Sequence, residues 1–209
     1  TAACPGSPIH LVGFSMGANI VLKLAGELAD SAPPNLASVM AVSPPMDLAE
    51  CSQNMQRGAA RYYDRLFVHG LLQHLKPRPA AVADAHSRPL DPFPRRLHEF
   101  DNVFTAPLCG FADVHDYYAR ASSAPLLDKI SVPTLIVAAA SDPIVPVQTF
   151  ERAKYSPSTT LHIAPCGAHL GFVARKSGDA DIRWLDWRTV EWVTSHSAIS
   201  PALPVRHHA

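Results

Sequence analysis

The stretch Gly13-Phe14-Ser15-Met16-Gly17 holds a serine between two glycines, after a short apolar run and before a helical pattern. A serine on a sharp turn between a strand and a helix exposes its hydroxyl, which can then attack a carbonyl carbon. Glycines two residues to either side would avoid collisions with the neighbouring strand or helix and tolerate unusual φ angles. We therefore predict that Ser15 is a nucleophile and that the backbone N–H of Met16 faces a developing oxyanion.

A serine hydroxyl is a weak nucleophile until an adjacent base accepts its proton. His169 has the setting expected of that base, because it follows a predicted strand and lies between Gly167 and Gly171. Other histidines fall in predicted strands (His10, His162), on a predicted helix (His69, His74) or in a polar tail (His207, His208).

Asp142 is the predicted acid that would orient His169 and stabilise its imidazolium. It follows the apolar run 132–140, which predicts a buried parallel strand, and Pro143 stiffens the loop after it. Asp142 could instead only cap its loop. Asp47 is the alternative acid, since it follows another predicted strand, 36–42.

These residues need a parallel sheet whose carboxyl ends meet at one edge. Alternating strands and helices predict an α/β core built from residues 1–45 and 131–197. Its strands are predicted at 9–14, 36–42, 132–140 and 159–164, and its first and last helices at 18–28 and 184–196.

Residues 46–130 interrupt this alternation and predict a helical cap insert with its return to the sheet. Within the insert, Tyr63, Phe67, Leu71 and Leu75 recur every four positions and predict one apolar helix face. That face would either pack on the core or form the wall of an acyl-binding pocket above Ser15. The Pro-rich stretch 76–94 predicts irregular loop, and 198–209 a disordered tail.

The composition limits the partners. The net charge is zero, and only 17% of the 209 residues are charged. Nothing therefore suggests binding to nucleic acid or to an anionic membrane. No apolar run approaches the roughly 18 residues that span a bilayer. The four cysteines lack metal or disulfide spacing, and we predict reduced packing residues in a cytoplasmic protein. The predicted chemistry requires no metal or organic cofactor.

These motifs together resemble the YheT-type α/β-hydrolases, a family of bacterial hydrolase- and esterase-like proteins. The resemblance implies that Ser15, Asp142 and His169 form the catalytic triad and that the activity is hydrolysis of carboxylic esters. We expect the partner to be a small-molecule ester, acyl or lipid-like. The stretches that carry the resemblance are Gly13–Asn19, Glu99–Pro107, Gly110–Tyr118, Ala121–Ser123, Ser141–Pro143 and Gly167–Phe172.

A complete hydrolase of this type has about eight strands, and the nucleophile follows the fifth. Because Ser15 comes so early, we expect the carboxyl-terminal part of such a fold, with the amino-terminal strands missing. The second oxyanion donor would then be absent too, and the fragment alone would be weakly active or inactive. Two alternative functions remain: an acyltransferase using the same triad, and a non-catalytic binding protein on a hydrolase frame.

Overall fold

The computed structural model of the protein describes residues 6–75, 93–174 and 179–197. Four parallel strands form one sheet in the order β1-β2-β3-β4. The strands are β1 (Ile9–Phe14), β2 (Leu36–Val42), β3 (Thr134–Ala139) and β4 (Thr159–Ala164). The parallel α/β sheet predicted from the sequence is thus confirmed, and within the described residues β1 lies at one edge of it.

Helices connect and cover these strands. The α-helices are α1 (Met16–Leu28), α2 (Leu48–Met55), α3 (Ala60–Leu75), α5 (Val114–Ala121), α6 (Val147–Arg152) and α7 (Trp184–His196). Between α3 and α5, α4 occupies residues 97–108 and changes geometry twice: it is α-helical at Leu97–Phe100, π-helical at Asp101–Thr105 and α-helical again at Ala106–Leu108. Short 3₁₀ turns cover Ala29–Ser31 and Ala124–Lys129.

The two central strands are buried on both faces, which explains their nearly continuous apolar sequences. Successive side chains of a strand point to opposite faces. Val39 and Ala41 of β2 accordingly contribute to the cluster that includes Leu22 of α1. Met40 and Val42 contribute to the opposite cluster, which includes Leu185 of α7. The sheet therefore lies between α1 on one side and α7 on the other.

A buried asparagine ties α1 to the chain that returns from α5. The Asn19 amide donates to the carbonyl of Ala121 at 2.9 Å and accepts from the N–H of Ser123 at 2.9 Å. The Ser123 N–H would otherwise be buried without a partner. Further along α1, Gly26 allows close approach, because a Cβ there would lie 2.6 Å from the Leu126 carbonyl oxygen.

Within residues 46–130, the regular elements that the structure describes are helices, as predicted, whereas the division into core, insert and tail stays a prediction. Asp64 of α3 is buried, and its carboxylate accepts from the N–H of Leu97 at the start of α4. None of the helices in the described ranges has the length and apolarity needed to cross a bilayer. The predicted loop 76–94, except residues 93 and 94, and the predicted tail 198–209 lie outside those ranges.

Candidate active site

Ser15 lies on the single-residue turn between β1 and α1. Its φ of 51° and ψ of −123° are strained for a residue with a Cβ. A backbone hydrogen bond anchors the turn to the end of β2, because the Ser15 N–H donates to the carbonyl of Val42 at 2.9 Å. Met16 is the first residue of α1, so its N–H has no carbonyl partner within the helix. A strained backbone of this kind is typical of functional positions.

The two glycines beside Ser15 have different roles. A Cβ on Gly13 would lie 2.4 Å from the Gly17 carbonyl oxygen, so the backbone there leaves no room for a side chain. A Cβ on Gly17 would meet no described atom within 4 Å. The sequence-based expectation of a collision is therefore confirmed for Gly13 and wrong for Gly17, because residue 17 already lies in the helix and faces open space.

We expect Gly13→Ala to destabilise the protein by about 1–3 kcal/mol, the cost of forcing extra volume into a packed region. Gly17→Ala is the matched control. It should change the free energy of unfolding by less than about 1 kcal/mol, since alanine is the better helix former. Urea unfolding of both variants measures the difference. Equal destabilisation by both substitutions would mean that the backbone contact at Gly13 does not limit the size of its side chain.

The three side chains singled out from the sequence lie in one hydrogen-bonded row. His169 Nε2 is 2.7 Å from Ser15 Oγ, and His169 Nδ1 is 2.8 Å from Asp142 Oδ2. An ionised carboxylate can only accept, so Nδ1–H donates to Asp142, and Nε2 is left to accept from the Ser15 hydroxyl. The Asp142 side chain is 1% exposed and that of His169 13%, so water screens this row weakly.

Asp142 is fixed on its other side by backbone donors. Its Oδ1 accepts from the N–H groups of Ile144 and Val145 at 2.8 and 3.1 Å. It therefore caps its own loop and contacts His169 at the same time. Asp47, the alternative acid, is instead the N-cap of α2 and accepts from the N–H of Glu50 at 2.9 Å.

The loop carrying His169 packs against the end of β3. The Ser141 hydroxyl donates to the Gly167 carbonyl at 2.7 Å, which ties this loop to the residue before Asp142. A Cβ on Gly167 would lie 3.0 Å from the Cβ of Ala139, so the small residue permits the close approach. Two other histidines have structural contacts, as predicted for strand positions. His10 is hydrogen-bonded to Ser38 and Ser197, and His162 stacks on Trp184.

A cavity of about 330 Å³ opens beside Ser15. Phe67 and Leu71 of α3 line it, as the pocket-wall interpretation expects. Leu71 and Leu75 also pack against a buried cluster that includes Phe100, so the apolar helix face serves packing as well. Phe67 is 41% exposed and so is not simply a core residue. The rest of the apolar lining comes from α2, from the first residue of α4 and from loops, and includes Pro45, Leu48, Met55, Leu97 and Ile144.

Four polar residues lie in the same cavity wall and were not singled out from the sequence as functional. They are Ser52, Asp101, Thr105 and Tyr118, and we call them the Asp101 cluster. Burial raises the pKa of the Asp101 carboxyl, and hydrogen bonds from Thr105 and Tyr118 offset part of that rise. Burial also raises the pKa of the Tyr118 hydroxyl well above its usual range. The only signal in the sequence was that Asp101, Thr105 and Tyr118 fall in stretches matching the family.

The cysteines separate into two environments. Cys51 is buried in the cavity wall, and burial raises the pKa of its thiol far above the usual range. Cys109 and Cys166 are free and exposed, so the expectation that they are packing residues is wrong for these two. Cys4 lies outside the described residues.

Comparison with known proteins gives one family match. A family model described as alpha/beta hydrolase fold matches residues 2–175. YheT of Escherichia coli (strain K12) is 31% identical over 193 residues, which are 91% of this chain and 56% of that protein. Monoacylglycerol lipase of Saccharomyces cerevisiae is 29% identical over 186 residues, 83% of this chain and 40% of the yeast protein.

Among solved structures, the monoacylglycerol lipase of Paleococcus ferrophilus aligns with a TM-score of 0.46 at 20% identity. The alignment covers 92% of this chain and 70% of that one. YheT and the yeast lipase are both much longer than this chain, which spans about half the length of the curated relatives it matches.

Proposed function

The chain belongs to the α/β-hydrolase family, and from that membership we propose that it is a serine hydrolase that cleaves carboxylic esters. The observation that supports this most is the row of hydrogen bonds from Ser15 through His169 to Asp142, at 2.7 and 2.8 Å. A nucleophile, a base and an orienting acid within direct hydrogen-bonding reach are what acyl transfer through a serine requires.

In the proposed reaction, the Ser15 oxygen bonds to the ester carbonyl carbon while its proton moves to His169 Nε2. Asp142 keeps the imidazole in the tautomer that can accept this proton and stabilises the resulting imidazolium. The Met16 N–H stabilises the oxyanion. The carbon–oxygen bond then breaks, and His169 protonates the leaving alcohol. Water hydrolyses the acyl-enzyme by the same steps, and the proton returns to Ser15.

The cavity supports an apolar acyl group as one part of the substrate. Phe67 and Leu71 border it together with Met55 and Ile144, and Ser15 lies in its wall. Burying an acyl chain there is favourable by about 0.8 kcal/mol for each methylene removed from water. Relatives named as lipases support the same class of ligand. We therefore propose a small acyl or lipid-like ester as substrate.

A fluorophosphonate probe tests the proposal directly, because it reacts covalently with activated serines and reacts little with ordinary ones. We expect labelling of the full natural polypeptide at Ser15, and its loss in Ser15→Ala. Ser131→Ala, which alters an exposed serine that donates to the Ala29 carbonyl, is the matched control and should label normally. No labelling of the natural protein would favour a non-catalytic binding protein. Product analysis with added alcohols then separates hydrolysis from acyl transfer.

A further inference from the structure

The Asp101 cluster is a compact polar site inside an otherwise largely apolar cavity. Asp101 and Tyr118 are 7% and 5% exposed, and both line the cavity beside Ser15. Asp101 and Thr105 lie at the two ends of the π-helical turn of α4. Such turns occur in α-helices frequently at functional sites, where they place side chains that a regular helix would place elsewhere.

The hydrogen bonds within the cluster leave some lone pairs of the Asp101 carboxylate without a donor. Tyr118 Oη is 2.8 Å from Asp101 Oδ2 and 3.1 Å from Ser52 Oγ. A carboxylate is the stronger acceptor, so the single phenolic proton goes to Asp101. Thr105 donates to Asp101 Oδ1 at 2.7 Å. A carboxylate has about four lone-pair sites, so these two bonds occupy only half of its capacity.

The charge of Asp101 also has no direct counterion within the described ranges. Every ion pair found there involves other residues. A buried carboxylate that is neither paired nor fully hydrogen-bonded is costly to keep. If the cluster served packing alone, apolar residues of similar volume would fill the wall at lower cost.

We propose that the Asp101 cluster binds a hydroxyl group of the ester substrate, at a position remote from the scissile carbonyl. A neutral hydroxyl supplies the donor that the open acceptors lack. A phosphate or carboxylate would be repelled by Asp101, and a purely hydrocarbon substrate would bury these acceptors unpaired. This inference rests on the proposed function and makes Asp101 and Tyr118 determinants of its specificity.

The hydroxyl could belong to the acyl chain or to the alcohol part of the ester, so the test has two arms. The first compares p-nitrophenyl esters of ω-hydroxy acids, from hexanoate to decanoate, with isosteres in which CH₃ replaces the hydroxyl. The second compares 2-hydroxyethyl octanoate with propyl octanoate. In one arm we expect the natural protein to prefer the hydroxylated ester by about 10-fold or more in kcat/KM, as for a hydrogen bond to a charged group.

Variants of the cluster should remove this preference. Asp101→Asn removes the charge, and Tyr118→Phe removes one donor that orients the carboxylate, so each should reduce the ratio to within about 3-fold of unity. Tyr117→Phe is the matched control: Tyr117 also lines the cavity, but its hydroxyl makes no hydrogen bond to any residue the structure describes. It should keep the ratio, whatever its effect on the absolute rate.

Binding separates this inference from the proposed function. Carboxamides of the same paired acyl chains and alcohol parts, titrated calorimetrically into Ser15→Ala, should show the same preference without any turnover. A preference in binding with no esterase activity would overturn the proposed hydrolysis and keep the hydroxyl site. Equal or reversed preference of the natural protein in both arms would overturn the hydroxyl site, as would an unchanged ratio in Asp101→Asn. In that case the cluster only joins α2, α4 and α5.

Discussion

Ser15→Ala should lower kcat for an activated ester by about 10⁶-fold, the loss typical when a serine nucleophile is removed from an intact triad. The methyl group cannot form the acyl-enzyme, while the cavity and the Met16 N–H remain in place. Residual catalysis about 10³-fold above the uncatalysed rate is therefore expected. The measurement is p-nitrophenyl octanoate hydrolysis by the full natural polypeptide, with active-site titration of the unaltered protein to count competent sites.

A second variant tests whether Ser15 and His169 act as a unit. His169→Ala should cost about as much as Ser15→Ala, and the double variant should be no worse than either single one, because the residues of a triad act as a unit. Additive losses in the double variant would mean that Ser15 and His169 contribute independently, which their 2.7 Å separation argues against. Activity retained in Ser15→Ala would mean that Ser15 is not the nucleophile.

Asp142→Asn should lower kcat by about 10⁴-fold with little loss of stability. The introduced amide can donate to Nδ1, which stabilises the opposite tautomer of His169. Nε2 would then carry a proton and could not accept one from Ser15. The amide oxygen can still accept from the N–H groups of Ile144 and Val145, so the loop should keep its shape.

Asp47→Asn is the control that the chain itself offers. Asp47 caps α2 through the N–H of Glu50, and asparagine is an equally good N-cap, so both stability and activity should stay within a few-fold of normal. Asp142→Asn and Asp47→Asn are compared by kcat at saturating ester and by thermal unfolding. Loss of activity in Asp47→Asn, with normal activity in Asp142→Asn, would make Asp47 the acid.

Local patterns carried most of the information on the sheet. The bounds of β1, β2 and β4 agree with the predicted ranges 9–14, 36–42 and 159–164. A strand buried on both faces, such as β2, has a nearly continuous apolar sequence that ends abruptly in polar or glycine residues. β4 instead alternates polar and apolar residues, the pattern of a half-buried strand. Because the strands are parallel, their carboxyl ends meet at one edge, and residues that follow different strands converge there. Ser15, Asp142 and His169 could therefore be proposed together before any distance was known.

Features that depend on packing between distant segments could not be read in this way. Gly17 looked equivalent to Gly13 in sequence, yet only Gly13 faces the backbone of the next turn. Nothing in the local sequence marks the Asp101 carboxylate itself as buried, whereas α2 and α5 help to bury it in the cavity wall. That burial follows from where three helices meet, and no periodicity within any one of them encodes it.

The hydrogen bond between Ser15 and His169 joins residues 154 positions apart, and this separation has a consequence for how the protein matures. Contacts between such distant residues form late, because the long segment between them must first lose conformational entropy, and the contacts offset this cost only once they have formed. On the ribosome Ser15 is synthesised long before His169. In the proposed mechanism, a nascent chain therefore carries a serine without its base, and hydrolytic competence arises only once β4 and the loop after it have joined the sheet.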